Sequence, residues 1–263
     1  MNLQSETRGA KAILQTIIPT PVWRRLQDIR YRCHKRLEKF KRRPPVGWVR
    51  FGSFRRLQPI DPSYGWQWGR VLDRYYIEKF LTQFATDVHG RVLEVAENGY
   101  TFRFGGERVT QSDVVHYVSG NPKATIVADL TDADHIPSNT FDCIILTQTL
   151  QFIYDVKAAI RTLHRILKPG GVLLMTCHGI SKISRFDMGS WGEYWRFTSL
   201  SIRKLCSEAF PEDNITVQAY GNVLTAMAFL HGLTAGELHQ EELDYRDPDY
   251  ELIVGVRAIK PPD

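Results

Sequence analysis

From Arg91 onward, short apolar runs alternate with polar or helical segments. Five of these runs have the length and the apolar content of buried strands, and they cover residues 91–96, 108–113, 124–129, 141–147 and 172–176. Strands that are joined by crossovers run parallel and are covered on both faces. The pattern therefore predicts an α/β fold built on a doubly wound, mostly parallel sheet.

Apolar residues at helical spacing surround these strands. Helices are predicted for residues 72–81, 155–167, 198–210 and 223–238, and a closing pair of strands for 214–220 and 250–257. Lys168-Pro-Gly-Gly171 ends the second helix. We therefore assign residues 70–263 to one sheet domain.

A different helix lies in the extension, residues 1–69, which also contains an irregular aromatic stretch. Thr20 suits an N-cap, Pro21 suits the first turn, and Pro44-Pro45 ends the segment. Apolar residues recur on one face, and Arg and Lys cover the rest; the apolar set is Val22, Trp23, Leu26, Ile29, Cys33, Leu37 and Phe40. This basic helix, residues 21–43, either lies on an anionic membrane surface or docks a partner, or it is a lid or homodimer helix with a solvated basic face.

The charge is distributed unevenly. The net charge is +5, but residues 1–56 carry 15 Lys/Arg against 3 Asp/Glu, which leaves 19 against 26 in residues 57–263. The domain is therefore mildly acidic, and we expect no nucleic-acid partner.

Cysteine usage and hydropathy bear on the compartment. The four cysteines show neither CxxC nor metal-ligand spacing, so we expect free thiols, a reducing compartment and no metal. The apolar run 12–18 is too short to span a membrane and lacks the layout of a signal peptide. We therefore expect a cytoplasmic protein, with a peripheral contact at the inner membrane surface if the basic helix binds lipid.

Three landmarks follow one another along the chain. They are Asp129-Leu-Thr-Asp-Ala-Asp-His-Ile-Pro-Ser-Asn-Thr-Phe-Asp142, then 143–150, then Leu163-His-Arg-Ile-Leu-Lys-Pro-Gly-Gly-Val-Leu-Leu174. In this order and spacing they resemble the small-molecule branch of the class I S-adenosylmethionine-dependent methyltransferases. The resemblance implies a seven-stranded Rossmann-like sheet with an antiparallel edge strand, and S-adenosyl-L-methionine as the cofactor.

The resemblance also implies roles for residues near the carboxyl ends of the strands, where ligands bind in open parallel sheets. Glu94 would orient the first loop or hold the cofactor's amino group through water. Asp113 would accept from the ribose hydroxyls, because one carboxylate can bind two adjacent hydroxyls. The adenine edge would meet Asp129 with Leu130, and the reacting end would lie between Thr147 and Gln148. Each acid could instead be a solvated strand end or a helix N-cap.

The first loop departs from the family pattern. It reads Glu94-Val-Ala-Glu-Asn-Gly-Tyr100, so Ala96, Asn98 and Tyr100 occupy the three usual glycine positions and Gly99 is one place out of step. Glycine matters there because a backbone without Cβ can adopt positive φ and approach a ligand closely. The crossovers on both sides of the second strand are also short. We therefore expect Ala96 and Gly99 to contact the cofactor in a loop that binds it weakly.

The acceptor end is predicted from the segment after the fifth strand. His178 is a candidate general base, with Asp187 and Glu193 as alternatives, although His178 could simply be a hydrogen-bonded loop histidine. Aromatic faces and an Arg donor could line an acceptor pocket through Trp191, Tyr194, Trp195 and Arg196. The same residues could instead pack the following helix, with Thr198 as its N-cap.

Two functions from different classes fit the sequence. The first is O-methylation of a small-molecule or glycan acceptor, because the Trp-Arg-Phe-Thr198 element resembles methyltransferases encoded alongside glycosyltransferases. The second is a catalytically inactive binding or scaffold module, which would have a filled or narrow cofactor cleft. A nicotinamide dehydrogenase is disfavoured because no G-x-G-x-x-G follows the first strand.

Overall fold

The structure is a computed structural model and describes residues 21–22, 25–26, 28–33 and 44–262. The chain divides into two compact units, residues 1–55 and 56–263. Residues 56–69, which we assigned to the extension, fall in the second unit.

In the first unit, every described residue between 21 and 33 is helical. Val22, Leu26 and Ile29, all on the predicted apolar face, are exposed. The other apolar positions Trp23, Leu37 and Phe40 lie outside the described residues, so the role of the basic helix stays a prediction. A 3-10 turn, Gly52–Phe54, follows. None of the described helices is long and apolar enough to cross a membrane.

The second unit contains one seven-stranded sheet in the order β3-β2-β1-β4-β5-β7-β6. Its strands are β1 (Gly90–Val95), β2 (Val109–His116), β3 (Ile126–Val127), β4 (Phe141–Thr147), β5 (Leu167–His178), β6 (Ile215–Tyr220) and β7 (Ile253–Ile259). Strands β1 to β5 pair in parallel, and β7 pairs antiparallel with both β5 and β6. The predicted doubly wound α/β fold is confirmed. The antiparallel strand lies one place in from the edge, because β6 occupies the edge itself.

The helices of this unit are α1 (Leu72–Gln83), α2 (Val156–Ile166), α3 (Arg185–Ser190), α4 (Ser199–Cys206), α5 (Val223–Leu230) and α6 (Gln240–Asp244). One-turn segments lie at Ala85–Asp87, Thr101–Gly105, Gly106–Arg108, Leu150–Phe152, Glu212–Asn214 and Ala235–Glu237. The crossover between β1 and β2 is thus only the turns at 101–108. This agrees with the short crossover that the sequence predicts.

Two apolar clusters pack on the two faces of the sheet. Successive residues of β4 alternate between them: Ile144 and Leu146 join α2 and α4, whereas Cys143 and Ile145 join α1 and α5. Alternation with period two is what a strand covered on both faces requires. The two layers of helices therefore leave the carboxyl end of the sheet as its open edge.

Strand β2 runs further than the sequence pattern suggests. We predicted that it ends at Asp113, but it continues through Val114 and Val115 to His116, in parallel register with β1. Strand β3, in contrast, keeps two residues of the six predicted. These shifts move the residues at the carboxyl edge and decide which side chains reach it.

Candidate active site

A cavity of about 690 Å³ opens at the carboxyl ends of β1, β2, β4 and β5. The strand order reverses between β1 and β4, and open α/β sheets bind ligands at such a switch point. Its volume lies within the usual range for small-molecule sites, about 300–1,000 Å³. Eleven of the residues that we predicted for the site line it: Glu94, Ala96, Asp129, Leu130, Thr147, Gln148, His178, Asp187, Trp191, Glu193 and Tyr194.

Glu94 fixes the loop after β1. Its buried carboxylate accepts from the Thr101 amide and hydroxyl, both at 2.7 Å, and from the Tyr100 amide at 3.3 Å. Burial raises the pKa of Glu94, and these hydrogen bonds oppose the rise. Of the two predicted roles, the structure supports the first, in which Glu94 orients the loop.

Ala96 adopts the backbone conformation for which the family uses glycine. Its φ is +66°, in the left-handed region. Two hydrogen bonds hold it there: the Ala96 amide donates to the Val115 carbonyl at 2.9 Å, and Asn121 Nδ2 donates to the Ala96 carbonyl at 2.7 Å. The loop therefore keeps the glycine-type turn although it has lost the glycine. Gly99 neither lines the cavity nor has positive φ, so the structure does not bear out its predicted contact with the cofactor.

The prediction that Asp113 holds the ribose is wrong. Because β2 continues to His116, Asp113 lies inside the strand, buried and outside the cavity lining. Its carboxylate accepts from Arg91 Nε at 2.7 Å and from Thr125 Oγ1 at 3.0 Å. His116 and Tyr117 take the place at the strand end.

The next two strand ends follow the prediction. Asp129 lines the cavity, and its Oδ1 accepts from the Thr131 amide at 2.8 Å and the Thr131 hydroxyl at 2.7 Å. Leu130 beside it is buried. After β4, Gln148 has φ +49°, and its amide donates to the Thr176 carbonyl at 2.9 Å. Both turns therefore point into the cavity in conformations that local hydrogen bonds fix.

A half-buried cation, Arg74 of α1, lines the same cavity. Arg74 lies against the Trp66 ring, with Cζ 5.5 Å from the centroid, and its Nη1 donates to the Tyr100 hydroxyl at 3.3 Å. Its Nε is buried and has no hydrogen-bond partner within the described part of the chain. A half-buried guanidinium with a free donor suits a carboxylate. The predicted cofactor carries one on its methionine end, so these residues fit that group.

A second set of buried polar groups lies at β5. His178 is buried, and its Nε2 stands 4.0 Å from Asp73 Oδ2. Gln151 Nε2 donates to the Gln148 carbonyl at 2.9 Å and lies 3.5 Å from His178 Nδ1. Among the described residues, neither His178 Nε2 nor Gln151 Oε1 has a hydrogen-bond partner. Burial lowers the pKa of His178 to about 3, aided by Arg196 and Arg74, and raises the pKa of Asp73.

Comparison with known proteins relates part of the chain to one family. Residues 79–175 match the family model described as a methyltransferase domain. The match supports S-adenosylmethionine as the cofactor.

Curated relatives are also similar to parts of the chain. The ubiquinone/menaquinone biosynthesis C-methyltransferase UbiE of Escherichia coli O139:H28 is 29% identical over 177 residues, 65% of this chain and 62% of that protein. Its Klebsiella pneumoniae counterpart is 35% identical over 89 residues, 33% of this chain and 32% of that protein. The chain thus spans less than two thirds of the curated relatives that it matches.

Two solved structures are similar to the chain at low sequence identity. An S-adenosylmethionine-dependent methyltransferase from Mesorhizobium loti is 17% identical, with a TM-score of 0.47, and covers 72% of this chain and 98% of that one. The [4+2]-cyclase SpnF is 16% identical, with a TM-score of 0.48, and covers 73% of this chain and 83% of that one.

A covering segment, residues 181–196, contributes five residues to the cavity lining: Ser184, Asp187, Trp191, Glu193 and Tyr194. It contains α3, and its Trp191 ring meets the rings of His116 and Tyr117 edge-on at 5.6 and 6.2 Å. Tyr194 also lines the cavity, and its amide donates to the Gln151 carbonyl at 2.8 Å. The segment therefore joins the ends of β2 and β4 across the opening.

Trp195 and Arg196 of the covering segment make structural contacts. Trp195 donates from Nε1 to the Ile153 carbonyl at 3.0 Å, and Arg196 pairs with Glu193 at 2.7 Å. Neither Trp195 nor Arg196 lines the cavity, so their predicted contact with the acceptor is not supported. Thr198 caps α4, as the alternative interpretation requires. Glu193 also accepts from the Ser184 amide at 2.8 Å, so this candidate base is already engaged.

Sequence reasoning missed Asp73 and Arg74, although the sequence carries a signal for the first. Asp73 stands three, four and seven residues before Tyr76, Ile77 and Phe80, which are buried on α1. An acid on an apolar helical stripe is costly unless it has a partner or a function. The spacing along the chain is therefore sufficient to distinguish Asp73 from an ordinary surface acid.

Proposed function

We propose that this protein is an S-adenosylmethionine-dependent methyltransferase that methylates a hydroxyl group of a small-molecule acceptor. The observation that carries the proposal is a single cavity lined by two kinds of polar group. Arg74 suits the carboxylate of the cofactor, and Asp73, Gln151 and His178 suit a hydroxyl. Methyl transfer requires chiefly that donor and acceptor are held in line in a site from which water is excluded.

The class of acceptor is the narrower part of the proposal. Trp191 and Tyr194 offer aromatic faces, which suit a sugar ring or an aromatic ring. A glycan acceptor is therefore kept in the proposal. It rests on Trp191 and Tyr194 alone, because Trp195 and Arg196 do not line the cavity. The open cavity argues against an inactive scaffold module, for which we expected a filled cleft.

C-methylation of an aromatic ring is a second candidate. The curated relatives are ubiquinone/menaquinone biosynthesis C-methyltransferases, 29% identical over 177 residues in the Escherichia coli protein. Such an acceptor also needs its ring hydroxyl deprotonated before a ring carbon becomes nucleophilic. The two candidates therefore share the acceptor end and differ in the atom that receives the methyl group.

Calorimetry with S-adenosylhomocysteine tests the cofactor. We expect wild-type binding, with a dissociation constant raised about tenfold or more in Arg74→Gln, because the variant loses a charge-assisted bond worth about 1.5–3 kcal/mol. Arg103→Gln is the matched control, because Arg103 is exposed and pairs with Glu78 on the surface. Absence of binding at millimolar ligand would contradict the proposal. Where turnover is found, the proton NMR shift of the new methyl group distinguishes O- from C-methylation.

A further inference from the structure

Asp73 places a carboxylate oxygen inside the cavity. Its Oδ1 accepts from the Arg74 amide at 2.5 Å, and its Oδ2 stands 4.0 Å from His178 Nε2. Asp73 is 9% exposed and lines the cavity, so a ligand in the cavity can reach its carboxylate.

The hydrogen bonds of Gln151 set the tautomer of His178. The Gln148 carbonyl can only accept, so the Gln151 side-chain nitrogen must face it, at 2.9 Å. The other hydrogen of that nitrogen can reach Gln148 Oε1 at 3.4 Å or His178 Nδ1 at 3.5 Å. An amide NH₂ group only donates, so a proton on Nδ1 would face it unfavourably, and the contact favours an Nδ1 that accepts. A neutral imidazole that accepts at Nδ1 carries its proton on Nε2. His178 is thus a donor on the side that faces Asp73.

The two groups lie too far apart for a direct hydrogen bond, since 4.0 Å separates His178 Nε2 from Asp73 Oδ2. An oxygen about 2.8 Å from each atom would lie about 2 Å to one side of the line that joins them, accepting from His178 Nε2 and donating to Asp73 Oδ2. A hydroxyl group both accepts and donates, so it matches this pair of atoms.

We propose that Asp73 is the catalytic base of this protein, and that it accepts the proton of an acceptor hydroxyl that His178 holds through Nε2–H. The inference rests on the proposed methyl transfer. In the step, the O–H proton passes to Asp73 Oδ2 and the oxygen electron pair forms the bond to the methyl carbon. The bond from that carbon to the cofactor sulfur breaks, and its electrons stay on sulfur, which becomes an uncharged thioether. No further reactant is needed.

The surroundings of the pair fit these roles. Burial raises the pKa of Asp73, which makes its carboxylate a stronger base than an exposed one. Burial lowers the pKa of His178 to about 3, and Arg196 and Arg74 add to the effect, so the imidazole stays neutral and keeps donating. This division of roles replaces the simpler expectation that His178 is the base.

The strength of this base indicates the class of acceptor. A phenol has a pKa near that of tyrosine, about 10, whereas an aliphatic alcohol holds its proton several pKa units more tightly. Proton transfer to a carboxylate is therefore far easier from a phenol. Tyr64, Trp66, Tyr154 and Tyr194 line the same cavity and offer aromatic surface to a ring. We infer that the acceptor is a phenol.

Nitrogen NMR of the full chain tests the assignment without an acceptor. The ring nitrogens of His178, identified by comparison with His178→Gln, should show Nε2 protonated and Nδ1 unprotonated near neutral pH. The same state should persist in Asp73→Asn, because Gln151 sets it. A proton on Nδ1 would overturn the proposal, since Nε2 could then not donate to the acceptor.

Turnover with two phenols tests the base. Phenol is protonated near neutral pH, whereas 4-nitrophenol can be assayed where it is already ionised. We expect Asp73→Asn to lower the rate with phenol by about 10²–10⁴-fold, the usual share of a general base, and to change the rate with ionised 4-nitrophenol much less. Asp134→Asn, a change at an exposed acid, should affect neither.

The outcomes separate this inference from the proposed function. Equal losses with both phenols in Asp73→Asn, or no loss, would overturn the role of Asp73. Wild-type protein that binds S-adenosylhomocysteine but methylates neither phenol would overturn the phenolic acceptor and leave the cofactor intact. Protein that does not bind S-adenosylhomocysteine fails the proposed function itself.

Discussion

The backbone conformation of Ala96 predicts how the substitution Ala96→Gly would change the stability of the protein. An alanine at φ +66° lies in the left-handed region, where the contact between Cβ and the carbonyl oxygen costs about 1–2 kcal/mol. Ala96→Gly removes that cost. It also adds freedom to the unfolded chain, which opposes the gain by about 0.4–1 kcal/mol. The net expectation is a stabilisation of about 0.5–1 kcal/mol, or a rise in Tm of about 1–4 °C.

The matched control is Ala124→Gly. Ala124 also lies in a loop of the second unit, next to a strand, but it is not among the described residues with positive φ. The same change there should only add freedom to the unfolded chain and destabilise the protein by about 0.4–1 kcal/mol. Urea unfolding of wild type and both variants measures the difference. A destabilisation of Ala96→Gly equal to that of the control would refute the claim of backbone strain.

The same variant bears on the cofactor. Ala96 lines the cavity, so removal of its Cβ lets a ligand approach the backbone of the loop more closely. We expect S-adenosylhomocysteine to bind Ala96→Gly a few-fold more tightly than wild type in calorimetry, and Ala124→Gly to bind it unchanged. Weaker binding by Ala96→Gly would mean that the alanine methyl group contacts the ligand.

Two further predictions concern buried charges. Asp113→Asn should lower the free energy of unfolding by about 2–3 kcal/mol, because it leaves Arg91 without its buried carboxylate. The dissociation constant of S-adenosylhomocysteine should not change in the folded variant. Weaker binding would show that Asp113 belongs to the cofactor site after all. The second prediction concerns stability in acid. Between pH 6.5 and about 3, His178 is protonated in the unfolded chain but not in the native one. The free energy of unfolding should therefore fall as the pH drops through this window, by at most about 4–5 kcal/mol. Urea unfolding of wild type and His178→Gln at several pH values isolates this share, because Asp73 is present in both; parallel curves would contradict the buried neutral imidazole.

The elements that the sequence predicts best are those whose own residues determine them. Strand β4 is predicted and observed over the same residues, 141–147, because its apolar run is bounded on both sides. Helix α2 was predicted to begin at Asp155 and begins at Val156. Asp155 is its N-cap, and the Asp155 carboxylate accepts from the Ala158 amide at 2.9 Å. Local capping and periodicity are sufficient in both cases.

The end of β2 could not be predicted in the same way. The position of Asp113 matches the spacing expected of a residue that binds the cofactor ribose. A buried acid within a strand is also tolerated, however, when a neighbouring strand supplies a cation. Arg91 of β1 does so, and the pairing depends on the register that sets Leu93 opposite Asp113. That register is a property of the assembled sheet. The spacing alone therefore could not distinguish a ribose ligand from an ion pair.

For a similar reason, the acceptor end was predicted only in part. His178 was found because it follows β5, as a base in this fold should. Asp73, which lies near His178, is on α1, more than a hundred residues earlier. The two side chains come together because α1 packs against the sheet, where Gly255 of β7 leaves room for the Phe80 ring. A β-carbon at 255 would come within 2.5 Å of that ring. The pair is thus a product of helix packing.

Two sets of cavity residues meet the covering segment. The rings of His116 and Tyr117, at the end of β2, contact its Trp191, and the Gln151 carbonyl, after β4, accepts from its Tyr194 amide. A ligand that orders the segment at either contact lowers the entropic cost of ordering it for the other. We therefore expect cofactor and acceptor to bind with positive cooperativity, which would compensate for a glycine loop that has lost its glycines.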